Sequence, residues 1–312
     1  MTGNAQVAAA QPPTAGKLNI DHVAHFVPHI DDASAALEQA GFTLTPFSAQ
    51  SHRLEPGGPL VPAGSGNRCV MLREGYLEFL TPTADTPIAQ QLREAIRRYT
   101  GVHLIAFGSA AAEADHARLD KAGFKPLPTV ALQREIGTDH GDETARFSVV
   151  RVPPGTMAEG RIQYCQQHTP QWLWQERWIS HANGARGLAA VIICVEDPQE
   201  AAQRYSHFTG LLARVGRDCW RIDSQRGSLL FVTPQRLQAV LGLEAPALPW
   251  IAGYVLTCDS LTATRTRLAA GGCTIRKVGE LRGEQHLLLE WPAALGGFVL
   301  FQQPATALPD FS

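Results

Sequence analysis

No run of eighteen apolar residues occurs in the 312-residue chain, so no helix able to cross a bilayer is expected. C-x-x-C pairs are missing too. The six cysteines, Cys69, Cys165, Cys194, Cys219, Cys258 and Cys273, stand at least fifteen positions apart, which excludes the common zinc and redox spacings. Five of them lie in or beside apolar runs, where reduced, buried thiols are expected. Neither sign of charge dominates: 27 Lys and Arg against 29 Asp and Glu leave a net charge of −2. Nucleic acid and membranes are therefore not expected as partners. Residues 1–17 lack the basic start and leucine-rich centre of a signal peptide. Their Ala, Gln, Pro, Gly and Thr predict a disordered tail, and a cytoplasmic location is expected. What is present is a globular composition, 45% apolar and 18% charged, of a length that suits about two domains.

An internal repeat organises that length. ALEQAGF at 36–42 matches RLDKAGF at 118–124, each the end of a helix closed by a glycine suited to φ > 0. Apolar strands precede them, IDHVAHFV at 20–27 and VHLIAFG at 102–108. Two further copies begin at 187 (GLAAVIICVEDPQEAAQRYSHFTGL) and 250 (WIAGYVLTCDSLTATRTRLAAGGC). Strand-like runs follow each helix, and the last strands of copies one, three and four align as GYLEFLTP, GSLLFVTP and GFVLFQQP. Each unit reads βαβββ. One unit alone exposes a sheet edge and an apolar face, so the four are expected to pair into two domains. The boundaries expected are 18–165 and 187–312, joined by a Trp-rich linker over 166–186.

Four βαβββ units, opened by DHVAHFV and closed by GYLEFLTP, resemble the vicinal-oxygen-chelate (VOC) superfamily, which holds glyoxalase I, extradiol dioxygenases and bleomycin-resistance proteins. GSGNRCVMLREGYLEFL at 64–80 and TPQWLWQERWISHANGA at 169–185 resemble its glyoxalase-like domain proteins. The resemblance implies an α+β fold of two paired VOC domains over about 18–304. It also implies a divalent metal (Fe, Ni, Mn, Co or Zn) held by the first and last strands of two paired units. Counting back from the helix-closing glycines gives His22, nineteen before Gly41, and His103, twenty before Gly123. The last strands supply Glu78 and Gln163. Imidazole and carboxylate donors suit such a metal, and Glu78, alternating onto the face of Tyr76 and Leu80, needs a partner if buried. His25 points away and is expected to be structural.

In the second half the corresponding places hold Ala190, Ala252 or Gly253, Leu230 and Leu300, none a ligand. That pair is expected to serve packing, dimerisation into a homodimer, or cover. In glyoxalase I the counterpart of Gln163 is a carboxylate base, and an amide cannot take that role. Only Glu78 is left as a catalytic base. Two readings stand. One is a metal-dependent enzyme, lyase, isomerase or dioxygenase, acting on a small-molecule substrate with vicinal oxygens. The other is a metal-free binding protein of the bleomycin-resistance type. Asn67 and Arg68 are candidates to orient and clamp an anionic group. Trp172 and Trp174, with Trp178, form either an aromatic wall over the pocket or apolar cement between the halves, the sequence slightly favouring the latter.

Overall fold

The computed structural model describes residues 3–53, 58–216, 219–277, 286–309 and 311. In chain order the first unit contains β1 (Asn19–Phe26), α2 (Ile30–Gln39), β2 (Ser48–Arg53), β3 (Leu60–Met71) and β4 (Tyr76–Pro82), preceded by α1 (Gly3–Ala9). After α3 (Pro87–Arg98) the second has β5 (Gly101–Gly108), α4 (Ala112–Lys121), β6 (Val130–Thr138), β7 (Gly141–Arg151) and β8 (Arg161–Gln167). The linker forms two single turns, α5 (Pro170–Leu173) and α6 (Glu176–Ile179). The third unit comprises β9 (Ala185–Cys194), α7 (Pro198–Thr209), β10 (Ala213–Val215), β11 (Trp220–Asp223) and β12 (Ser228–Val232). Beyond α8 (Pro234–Leu241), the fourth has β13 (Trp250–Cys258), α9 (Leu261–Ala270), β14 (Ile275–Lys277), β15 (Leu287–Glu290) and β16 (Phe298–Gln302). The βαβββ pattern read from the repeat is present four times.

Local chemistry sets the helix ends. Thr86, Asp197, Thr233 and Ser260 each accept a backbone N–H at a helix start, and Pro follows the first three. The repeat's glycines Gly41, Gly123, Gly210 and Gly272 all take positive φ, between 74° and 85°.

Within each half the opening strands pair antiparallel, and each closing strand runs parallel to its own opening strand. The N-terminal half thus runs β2-β3-β4-β1-β5-β8-β7-β6, and the C-terminal half runs β10-β11-β12-β9-β13-β16-β15-β14. The halves meet where β13 touches β5 at Ile251 and Val102, and at a parallel bridge between Glu74 and Gly187. Each half is an open half-barrel. Their convex faces share one apolar core with the helices between them: Val23, Leu77 and Phe79 from one half pack with Val191, Tyr254 and Phe301 from the other. His25 belongs here, as expected. Its Nδ1 lies 3.0 Å from the Leu295 carbonyl oxygen and its Nε2 3.1 Å from the Tyr254 hydroxyl.

The segment over 1–17 departs from its expectation. Residues 3–9 are helical, and Gln11 is fully buried. Its side chain donates to the Arg73 carbonyl at 2.7 Å and accepts from the Gly75 N–H at 3.2 Å. Long-range polar contacts of this kind leave no trace in local composition. All six cysteines are free thiols, four of them buried.

Candidate functional site

The concave floor of the N-terminal half is laid out by strand register. Directly opposite residues of paired strands share a face. One row therefore runs Met71–Tyr76–His22–Ala106–Gln163–Arg151, and the next runs Cys69–Glu78–Ala24–Leu104–Arg161. Ala24 and Ala106 are small and fully buried at the centre, in a cluster with Leu80, Leu92 and Leu104. Leu77 and Phe79 face the opposite core, so Glu78 takes the face that alternation assigns it.

A β-bulge then adds one carboxylate. Pairing skips from Ile20 to His22, and the extra residue, Asp21, is turned toward its neighbour. Its Oδ2 lies 2.7 Å from His22 Nδ1 and accepts from Gln167 Nε2 at 3.1 Å. A carboxylate only accepts, so His22 carries a proton on Nδ1 and presents Nε2 to the cavity. That nitrogen lies 3.9 Å from Glu78 Oε2. Asn67 Nδ2 donates to Glu78 Oε1. The His22 ring stacks on Tyr76 at 4.3 Å, and Tyr76 meets Trp174 edge-on at 5.9 Å. Asp21, His22 and Asn67 are almost fully buried, and Glu78 is 9% exposed.

His103 does not join them, which corrects the expected ligand set. A second bulge skips it, because Ala24 pairs with Leu104 and His25 with Val102. Its Nε2 donates to the Tyr99 carbonyl at 2.8 Å, and its ring lies against Tyr99 and Phe26. Burial drives its pKa down to about 4. Register also identifies the true counterpart of His22. Glu78 sits opposite Ala24, two residues beyond His22, and Gln163 sits opposite Ala106, two residues beyond Leu104. His22 therefore corresponds to Leu104, and His103 corresponds to the bulged Asp21. Counting nineteen and then twenty residues back from the glycines concealed this slip of one.

The four positions that would hold a VOC metal are thus His22, Glu78, Leu104 and Gln163. A leucine offers no lone pair and an amide oxygen is a weak donor, so this set does not fit a divalent metal. Among the described residues, no group of three or more His, Cys, Asp or Glu is arranged to hold one.

Two other expectations resolve differently. Arg68 pairs with Phe79 across the ladder, so it leaves the face of Asn67. Its Nε donates to the Thr45 carbonyl, and Glu38 lies 3.7 Å away. It clamps nothing in the cavity. The tryptophan-bearing part of the linker covers the concave face: Leu173, Trp174 and Ile179 cluster with Cys69, Met71 and Tyr76. Further along, Asn183 donates to the Ala40 carbonyl of one half and accepts from the Thr264 hydroxyl of the other. Trp174 is fully buried and donates Nε1–H to the Leu72 carbonyl, while Trp172 on α5 is half-buried. From the other side, Leu92 of α3 packs onto Phe26, Leu80 and Leu104.

The sequence reading passed over Asp21, Leu104, Arg151 and Arg161. Arg161 lies over the Phe26 ring at 5.8 Å, on the same floor as Glu78.

The C-terminal half repeats both bulges with inert residues. Pairing skips Ala189 and Ala252, the counterparts of Asp21 and His103. Ile192, Leu230, Val255 and Leu300 fill the floor where the first half has Ala24, Glu78, Ala106 and Gln163. Phe311 is fully buried against that floor, and Arg236 Nε donates to its carbonyl.

A family model described as the glyoxalase-like domain matches residues 20–209. No curated protein matches the chain. Among solved structures, a hypothetical protein from Staphylococcus aureus superposes with a TM-score of 0.63 at 8% identity, covering 92% of this chain and 99% of its own. A mutant 4-hydroxymandelate synthase from Streptomyces coelicolor gives 0.55 at 17% identity, with 94% and 95% covered. A fusion of a xylose isomerase-like TIM barrel with a 4-hydroxyphenylpyruvate dioxygenase gives 0.55 at 13% identity, with 96% of this chain and 51% of that one covered. At these identities the likeness is one of fold.

Proposed function

The chain belongs to the glyoxalase-like domain family of the VOC fold, and from that premise we propose that it is a metal-independent small-molecule-binding protein whose site is the concave face of its N-terminal half. The observation that carries this reading is Leu104 in the place of the second histidine ligand. Glu78 and His22 already have partners within the protein, Asn67 and Asp21 respectively. The Nε2 of His22 is left as an acceptor toward a ligand. Asp21 fixes its tautomer, so it could also move a proton, with Glu78 as the group beyond it. The hydrophobic parts of the ligand would meet Phe26, Tyr76 and Trp174.

A second reading is the divalent-metal lyase, isomerase or dioxygenase. Its support is the 3.9 Å approach of His22 to Glu78 and the metal use common in this superfamily. Metal analysis of purified protein separates the two. We expect no stoichiometric metal and no rise in melting temperature with Ni, Zn, Mn or Fe(II). Ligand-induced quenching of Trp fluorescence should also survive a chelator. One equivalent of tightly held metal, lost in His22→Ala, would overturn the proposal in favour of the second reading.

A further inference from the structure

Arg151 and Arg161 are neighbours on the concave floor. Arg151 stands directly opposite Gln163 across the β7–β8 ladder, and Arg161 precedes Gln163 by two residues on β8. Residues in this diagonal relation have backbones roughly 7–8 Å apart, well within reach of guanidinium groups. Both side chains are at least partly buried. Among the described residues, Arg151 makes no side-chain hydrogen bond or ion pair, and its Nε is buried without a partner. Arg161 has a 3.3 Å contact with Gln91 Oε1 and its cation–π contact with Phe26. Burial depresses the pKa of both, and Arg151 depresses that of Arg161 further. Glu78 acts in the opposite direction on Arg161, but not on Arg151. Two adjacent, partly desolvated cations of one sign are unfavourable unless something offsets them.

We propose that Arg151 and Arg161 form an anion subsite that takes the carboxylate or phosphate group of the ligand. This rests on the N-terminal cavity being the binding site. Guanidinium groups suit such planar or tetrahedral oxyanions through paired N–H donors. Arg161 lies one strand spacing from Leu104 and two from Ala24, roughly 10 Å across the floor, and Arg151 lies one strand further out. A ligand with its acid group here would place its other end near His22 and Glu78. The matching places in the C-terminal half carry no such pair: Leu288 stands opposite Leu300, and Phe298 precedes Leu300 by two residues.

The test uses the full chain with inorganic phosphate, benzoate and the neutral isostere benzamide as probes, and melting temperature and Trp fluorescence as readouts. Arg151→Gln should raise the melting temperature by about 2–4 °C in anion-poor buffer, because it relieves a like-charge pair. It should also abolish stabilisation by phosphate or benzoate, while Arg151→Lys keeps part of it. An Arg151→Gln protein that melts lower and retains the full anion response would overturn the subsite, since a merely structural arginine behaves that way. The relative response to phosphate and benzoate identifies which oxyanion the subsite prefers, a preference for either supporting it. Benzamide binding as well as benzoate would refute the anion subsite and leave the cavity reading intact. Stoichiometric metal in the wild type would instead refute the metal-independent reading of the site.

Discussion

Asp21 and His103 are the same residue of two different repeats. Each is the extra residue of a bulge between β1 and β5, and each precedes a position facing the cavity, His22 in one case and Leu104 in the other. The first bulge brings a carboxylate onto an imidazole. The second tucks an imidazole against Tyr99. The asymmetry of the site therefore comes from side chains, these two together with His22 against Leu104 and Glu78 against Gln163, on a backbone that repeats.

Restoring the missing donors should restore a metal site. In a Leu104→His/Gln163→Glu double variant, all four VOC positions carry ligands. Replacing the buried Leu104 alone is expected to cost about 1–3 kcal/mol. Nickel or zinc at a thousandfold excess over Kd should then add about 4 kcal/mol by mass action. Thermal melts with and without metal check this, and the wild type should show no such rise.

Stability should fall on mild acidification. His25, His103 and His181 are buried, and desolvation lowers each to about 4 from the ordinary 6.5. The unfolded chain binds these protons first, so stability is complete above about pH 6.5 and is lost as pH falls toward 4. At the steepest point the slope should approach three protons, each worth about 1.4 kcal/mol per pH unit. Urea midpoints between pH 7.5 and 4.5 measure it. His25→Gln should reduce the slope by about one proton if it folds.

Trp174 should be the costliest single residue of the lid. It is fully buried against Tyr76, so Trp174→Ala should lose about 3–5 kcal/mol in denaturant titration. Trp174→Phe keeps most of the packing and removes only the hydrogen bond to the Leu72 carbonyl, for about 1 kcal/mol.

Phe311 should guard the apolar floor of the second half. Phe311→Ser is expected to raise fluorescence of an apolar dye at least severalfold, since the floor of Leu230, Val255 and Leu300 would open. No increase in dye binding would mean that other residues close that face.

The repeat was legible because period-two strands and glycine-stopped helices leave local marks. The face of Glu78 and the structural place of His25 followed from alternation alone. A bulge leaves no such mark, because it inserts a residue without changing hydrophobicity. That is why His103 was aligned with His22 and Asp21 was overlooked. Arg151 ends one strand and Arg161 begins another, positions where an arginine ordinarily reads as solvent-facing. The sequence leaves Trp174 between a wall over the pocket and cement between the halves, because a Trp-rich linker can cover either face of a sheet.

His25 gives the donor-less half a further consequence. The strand that carries Asp21 and His22 on one side is held on its other side by Tyr254 and Leu295 of the second half. Altering those residues changes the footing of the dyad without touching the cavity. Under the proposed binding function, the copy without polar floor residues is then a remote determinant of affinity, and substitutions in it can retune a site it does not contain.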